Sequence, residues 1–253
     1  MLRALLLVAH LLYGMALVTY VLLGGARRTR REHLTQRWNW RLLEILGMRL
    51  HMEGTPLRGP HLTVANHVSW LDIPVLAALE PTRFISKSEV RHWPLAGWFA
   101  VAAGTFFIRR GKGGAAPLLE RLVPHLRTAG SVVLFPEGTT TDGTEVRPFH
   151  PRLFQAAIDA GCPVQPVTLQ YGLAPDGSNV APFIGDDSLG AHVLRLLRTP
   201  ALDVRVSYGP PIRAAASREE LAQEAAALVR GALQPLTCRW PVATPVRLSW
   251  SRA

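Results

Sequence analysis

The sequence predicts an α/β protein: a mixed, largely parallel sheet flanked by helices, preceded by an N-terminal membrane-associated helical hairpin. Three observations carry that expectation. From about residue 55, short strand-like runs alternate with helix-like stretches, the pattern of a sheet built from strand and crossover helix. Residues 4–23, ALLLVAHLLYGMALVTYVLL, are apolar over about the length that a bilayer-crossing helix requires. Polar clusters follow three of the apolar runs directly, and in open α/β sheets ligands gather beyond the carboxyl ends of strands.

The elements follow in chain order. The apolar run 4–23 is longer than the apolar core of a signal peptide, although Gly24-Gly25-Ala26 offers small residues of the cleavage-site kind. RRTRREH, residues 27–33, comes next, and its arginines are expected to stay on the cytoplasmic side with everything after them. WNWRLLEILGMRL, residues 38–50, reads as an amphipathic helix with tryptophans suited to a bilayer interface, or as a helix packed on the core. Together these segments, residues 1–52, form a hairpin that crosses the membrane or dips into one leaflet. The main domain then occupies 53–253. Its strands are HLTVAN, TRFISK, GTFFIRR, SVVLFPEG, CPVQPVTLQY and LDVRVSYG. Its helices are IPVLAALE, AAPLLERLVPHLRTAG, RLFQAAIDAG and SREELAQEAAALVRGAL. The last opens with Ser217 and Glu220 in capping-box spacing. Residues 174–190, APDGSNVAPFIGDDSLG, read as a loop rich in turn residues.

Composition narrows the function. The 253 residues carry a formal net charge of +10, and 48% are hydrophobic. A basic, apolar chain seeks anions at a membrane. No DNA- or RNA-binding motif is present and the arginines are dispersed, so a nucleic-acid partner is not expected. Cys162 and Cys238 stand far apart, giving neither a zinc motif nor a disulfide framework. There is no P-loop, no HExxH and no GxSxG elbow, so neither a metal nor a serine nucleophile of the lipase kind is expected.

The chemistry concentrates in ANHVSWLD, residues 65–72. His67 is the best general base in the chain, because imidazole titrates near neutral pH and a carboxylate fixes its tautomer. Asp72 is five residues on. In a regular helix that spacing turns the two side chains about 140° apart, so contact requires His67 in the entering turn. Alternatively Ser69-Trp70-Leu71-Asp72 is a capping-box variant, and Asp72 ties down amides instead. Both readings stand at this point. Arg109 and Arg110 follow one strand and Glu137 another. By sequence alone, Glu137 can serve a structural role by pairing with a nearby arginine.

Taken together, these residues resemble a known family. NHVSWLD matches the NHxxxxD block of the glycerolipid acyltransferases, the group of bacterial 1-acylglycerol-3-phosphate acyltransferases. GTFFIRR, FPEGTTTDG and CPVQPVTL match their second, third and fourth blocks in order, across roughly residues 35–215. The resemblance implies acyl transfer from acyl-CoA or acyl-ACP to a lysolipid hydroxyl, with no cofactor and no acyl-enzyme. It implies that His67 and Asp72 are catalytic, and that Lys87, Arg110, Glu137, Gly138 and Thr139 bind substrate. The acceptor it implies is 1-acyl-sn-glycerol-3-phosphate, giving phosphatidic acid. One departure bears on this: many such enzymes carry arginine where this chain has Thr140, and the GTT form resembles lyso-ornithine lipid acyltransferases. A bacterial inner-membrane location with the catalytic domain on the cytoplasmic face is also implied. Two rivals remain: a hydrolase releasing fatty acid to water, and a non-catalytic lipid-binding protein. Trp93, Trp98 and Phe99 line an acyl channel, meet the interface, or pack in the core.

Overall fold

The computed structural model describes residues 1–109, 114–128, 130–213, 217–238 and 240. Its elements are α1 (Leu2–Leu22), α2 (Arg28–Ile45), β1 (Met48–Glu53), β2 (Leu62–Ala65), α3 (Asp72–Leu79), β3 (Thr82–Lys87), α4 (Ala96–Ala103) and β4 (Phe106–Ile108). They continue with α5 (Ala116–Thr128), β5 (Ser131–Leu134), α6 (Gln155–Ala160), β6 (Val164–Tyr171), α7 (Leu189–Arg198), β7 (Leu202–Tyr208) and α8 (Arg218–Gly231). One seven-stranded sheet runs in the order β1-β7-β6-β2-β5-β3-β4. β6 through β4 are mutually parallel. β7 pairs antiparallel to β6, and β1 pairs parallel to β7, so these two run against the other five.

Side-chain alternation explains the layers. In β2, Leu62 and Val64 feed one apolar cluster while Ala65 feeds the other. In β5, Val132 and Leu134 are likewise opposed to Val133. One cluster is completed by α2, α3 and α7. The other is completed by α5, α6 and α8, with α5 contributing Leu118, Leu122 and Leu126 at a spacing of four along one face. The α8 cap forms as its sequence implies: the Glu220 amide donates to Ser217 Oγ at 3.1 Å.

The N-terminal segment differs in detail from the sequence reading. The helix expected over 38–50 starts at Arg28 and stops at Ile45. Gly47 then takes a left-handed φ of 74°, and the remaining residues enter β1, whose Met48 to Glu53 register with Leu202 to Ser207. The boundary drawn at 52/53 therefore falls inside a sheet strand. α1 and α2 do form a hairpin. His10 stacks on Trp38 with ring centroids 4.8 Å apart, and Arg3 Nε donates to the Ile45 carbonyl at 2.9 Å. Trp38 also stacks on Phe99 at 4.6 Å, and both are partly buried, whereas Trp93 and Trp98 are about half exposed, at 51% and 52%. α1 is long and apolar enough to cross a membrane, and Leu2, Leu5, Leu12 and Leu22 face outward.

The parallel strands bring their carboxyl ends to one edge. The loops after β2, β3, β4, β5 and β6 all leave from it.

Candidate active site

β2 ends at Ala65, and the chain turns through Asn66–Leu71 before α3 begins at Asp72. Asn66 anchors that turn. Its Nδ2 donates to the Leu169 carbonyl at 2.9 Å, and its Oδ1 accepts the Leu169 amide at 2.7 Å. The amide side chain thus reads the backbone of β6 as a neighbouring strand would.

Asp72 sits at the first position of α3 with no exposed surface. Its Oδ2 accepts from His67 Nδ1 at 2.7 Å, the Val68 amide at 2.7 Å and the Ser69 amide at 3.0 Å. Its Oδ1 accepts from the Tyr171 hydroxyl at 2.7 Å. The two sequence readings of Asp72 are therefore both met by one residue: it ties down amides at a helix start and it holds the histidine. His67 achieves the contact because it lies in the entering turn, not on the helix.

This arrangement settles the tautomer. With Oδ2 placed to accept, His67 Nδ1 is the donor of the pair, and in the neutral imidazole that tautomer leaves the lone pair on Nε2. The ring is stacked on Phe135, centroids 4.2 Å apart and planes at 15°. The His67 side chain is 20% exposed, against 0% for Asp72. The carboxyl end of the pair is thus buried and the imidazole end opens outward.

Glu137 joins the loop after β5 to the same turn. Its Oε1 accepts the His67 amide at 2.7 Å and its Oε2 accepts the Arg147 amide at 2.9 Å. Burial pushes its carboxyl up, and the two amides partly offset that. No arginine side chain pairs with it among the described residues. Gly138 adopts φ 70°, a left-handed conformation in which a side chain is strained. A Cβ there meets only His150, at 3.5 Å, so backbone conformation and not space calls for glycine. The Thr141 amide donates to the His67 carbonyl at 2.8 Å. Thr140 Oγ1 donates to the Phe183 carbonyl at 2.6 Å, and the Phe183 amide donates to the Val68 carbonyl at 3.0 Å. The loop after β6 is thereby sewn to both motif loops.

Of the residues expected at the site, His67, Asp72 and Glu137 are brought into contact, and Gly138 and Thr139 follow directly in an exposed loop. Lys87 ends β3 on the same sheet edge, exposed. Arg110 lies outside the described residues; Arg109, just before it, is exposed. Ser69 Oγ has no hydrogen-bond partner, so it is not an alcohol activated by His67. Among the described residues no group of three or more His, Cys, Asp or Glu is placed to hold a metal.

Three contributors escaped the sequence reading. Tyr171 is 99 residues from Asp72, and only the adjacency of β6 and β2 unites them. Burial and the Asp72 charge push its hydroxyl well up, which keeps it a donor. Trp70 Nε1 donates to His192 Nδ1 at 2.9 Å, tying the turn to α7. Phe135 is the stacking platform. Tyr171→Phe removes one donor from a buried carboxylate. We expect a loss of about 1–3 kcal/mol in unfolding free energy and a fall in turnover, checked by chemical denaturation and initial rates.

Among the described residues, the site is a His–Asp pair at the carboxyl edge of the sheet, with no serine bonded to the imidazole. Comparison with known proteins gives that site its family. The acyltransferase family profile matches residues 48–170. A lyso-ornithine lipid O-acyltransferase of Pseudomonas aeruginosa is 44% identical over 241 residues, spanning 92% of this chain and 93% of that protein. A 1-acyl-sn-glycerol-3-phosphate acyltransferase of Neisseria meningitidis is 36% identical over 162 residues, spanning 64% of each. The crystal structure of the 1-acyl-sn-glycerophosphate acyltransferase from Thermotoga maritima superposes with a TM-score of 0.61 over 90% of this chain and 95% of that one, at 24% identity, which establishes the common fold. The chain belongs to the acyltransferase family.

Proposed function

We propose that this acyltransferase moves a fatty acyl group from a thioester, acyl-CoA or acyl-ACP, to the free hydroxyl of a lyso-ornithine lipid. The observation that carries the reaction is the His67–Asp72 pair with Nε2 left basic. The acceptor hydroxyl gives its proton to Nε2 as its oxygen attacks the thioester carbonyl. Asp72 stabilises the imidazolium, the C–S bond breaks, and the departing thiolate takes the proton back. An ester is made for the thioester lost, and no group on the protein is acylated. His67 can act in this way only if its ring is fixed, and Phe135, Asp72 and the Glu137 bond to its amide supply that support. Lys87, Arg110, Gly138 and Thr139 are assigned to substrate binding on the family resemblance.

Two observations favour the lyso-ornithine acceptor. The Pseudomonas aeruginosa relative is similar over nearly its whole length. Thr140 is also committed to the Phe183 carbonyl, so the position contributes a loop tie and no cation to a headgroup. The alternative acceptor is 1-acyl-sn-glycerol-3-phosphate, the substrate named for the Neisseria meningitidis relative. The purified chain, assayed against both acceptors with each donor, decides between them. The reading predicts higher kcat/KM for lyso-ornithine lipid; higher kcat/KM for lysophosphatidate overturns it. Thr140→Arg replaces the tie with a cation and is expected to shift preference towards lysophosphatidate, while the lost bond costs about 0.5–1.5 kcal/mol of stability. We further propose that the enzyme sits on the bacterial inner membrane with its catalytic domain in the cytoplasm, where thioesters are made. The arginines after α1 support this sidedness, and protease mapping of spheroplasts tests it.

A further inference from the structure

A polar pocket lies at the opposite edge of the sheet from His67, where β3 and β5 begin. It is lined by Arg28 and Arg31 of α2, Arg83 of β3, Glu80 at the end of α3, His125 of α5 and Glu32. Three guanidiniums therefore face two carboxylates. Glu32 is engaged by Arg28, Nε to Oε1 at 2.8 Å. Glu80, 5% exposed, has Oε2 3.5 Å from His61 Nε2, while its Oε1 has no hydrogen-bond partner. Among the described residues, the guanidiniums of Arg31 and Arg83 make neither a hydrogen bond nor an ion pair.

The backbone is shaped around these groups. Glycine at 130 leaves room for Arg28, whose Nη2 lies 3.0 Å from where a Cβ would stand, and glycine at 104 does the same for Arg83 Nε at 3.1 Å. The first turn of α2 carries no acidic residue, so Glu32 is the first carboxylate on the helix face that lines the pocket. Burial and the neighbouring Arg31 and Arg28 lower the Arg83 pKa, and burial followed by Arg83 and Arg28 holds His125 down to about 4. The cluster is thus short of negative charge. Close by, α1 ends in exposed apolar residues, with Leu22 57% and Leu23 82% exposed.

We propose that this pocket binds the phosphate of an anionic membrane phospholipid. Phosphate oxygens suit the planar guanidiniums of Arg31 and Arg83. The acyl chains would continue into the bilayer beside the apolar end of α1. Free phosphate shares the chemistry but not the chains. The site is on the far edge of the sheet from His67, and the proposal is independent of the acceptor assigned above.

The test uses the full chain partitioning between neutral detergent and vesicles of phosphatidylcholine with or without phosphatidylglycerol. Salt near 1 M shortens the Debye length to about 3 Å, which suppresses diffuse attraction more than pocket contacts. The wild type is expected to retain a preference for phosphatidylglycerol of roughly ten-fold or more, the scale of one charge-assisted bond. Arg31→Gln/Arg83→Gln should lose it, with transfer activity in neutral detergent unchanged as the check on folding. Arg27→Gln/Arg30→Gln removes the same charge outside the pocket and should keep it. Equal losses in both variants, or no wild-type preference at high salt, overturn the proposal. If the double variant fails to fold, Arg31→Gln alone must still weaken the preference several-fold. Micelles containing phosphatidylglycerol should raise the wild-type melting temperature where inorganic phosphate does not; an equal rise from inorganic phosphate overturns the lipid assignment.

Discussion

His67→Ala should lower kcat for acyl transfer by about 10²–10⁴-fold and leave the KM of both substrates close to wild type. The base acts on a proton that moves only in the transition state, so its removal leaves ground-state binding alone. The protein should still fold. The ring is partly exposed, its stacking on Phe135 is worth about 0.5–1.5 kcal/mol, and Asp72 keeps three of its four donors. Circular dichroism and sedimentation with vesicles check the fold and the attachment. A variant that is folded and turns over at the wild-type rate removes His67 from the mechanism.

Asp72→Asn should be nearly as damaging to turnover while sparing stability, and the hydrogen bonds say why. Three donors converge on Oδ2, but the donor at Oδ1 is the Tyr171 hydroxyl, which can rotate to accept instead. An asparagine therefore settles with its oxygen towards His67, Val68 and Ser69 and its amide towards Tyr171. The turn and the His67 tautomer survive; the negative charge facing the imidazolium does not. We expect kcat to fall about 10²–10⁴-fold, with unfolding free energy within about 1.5 kcal/mol of wild type. Asp72→Asn/Tyr171→Phe leaves the new amide without an acceptor and should lose a further 1–3 kcal/mol or so. The reverse pattern, normal turnover with reduced stability in Asp72→Asn, would make Asp72 only a cap.

The contact between His67 and Asp72 was legible because it is local. Six residues, 67–72, hold the histidine and its carboxylate partner, and the strand before and helix after fix the turn between them. Which role Asp72 plays was not legible, since a capping carboxylate and an orienting one leave the same pattern. The strands of the sheet were visible as apolar runs, but β1 was missed. MRLHME follows a helical stretch without a break in hydrophobicity, and its strand character comes from pairing with β7, some 150 residues away. Gly47 was the available signal, a glycine just past a helix end. α7 was missed because its start was read into the polar loop 174–190. Ser188, whose Oγ accepts the Ala191 amide at 3.3 Å, marked its beginning. Tyr171 left no signal at all: the last residue of a buried strand reads as core, and strand order decides that it meets Asp72.

The central claim is that a hydroxyl supplied by a lipid, and not water, takes the acyl group with His67 as base. The direct measurement is a mass balance with purified protein, a thioester donor and lyso-ornithine lipid, following released thiol, diacylated lipid and free fatty acid together. The account predicts one diacylated lipid for each thiol released, and thiol release that depends on the acceptor. Thiol release matched by free fatty acid, with or without the acceptor, would contradict it.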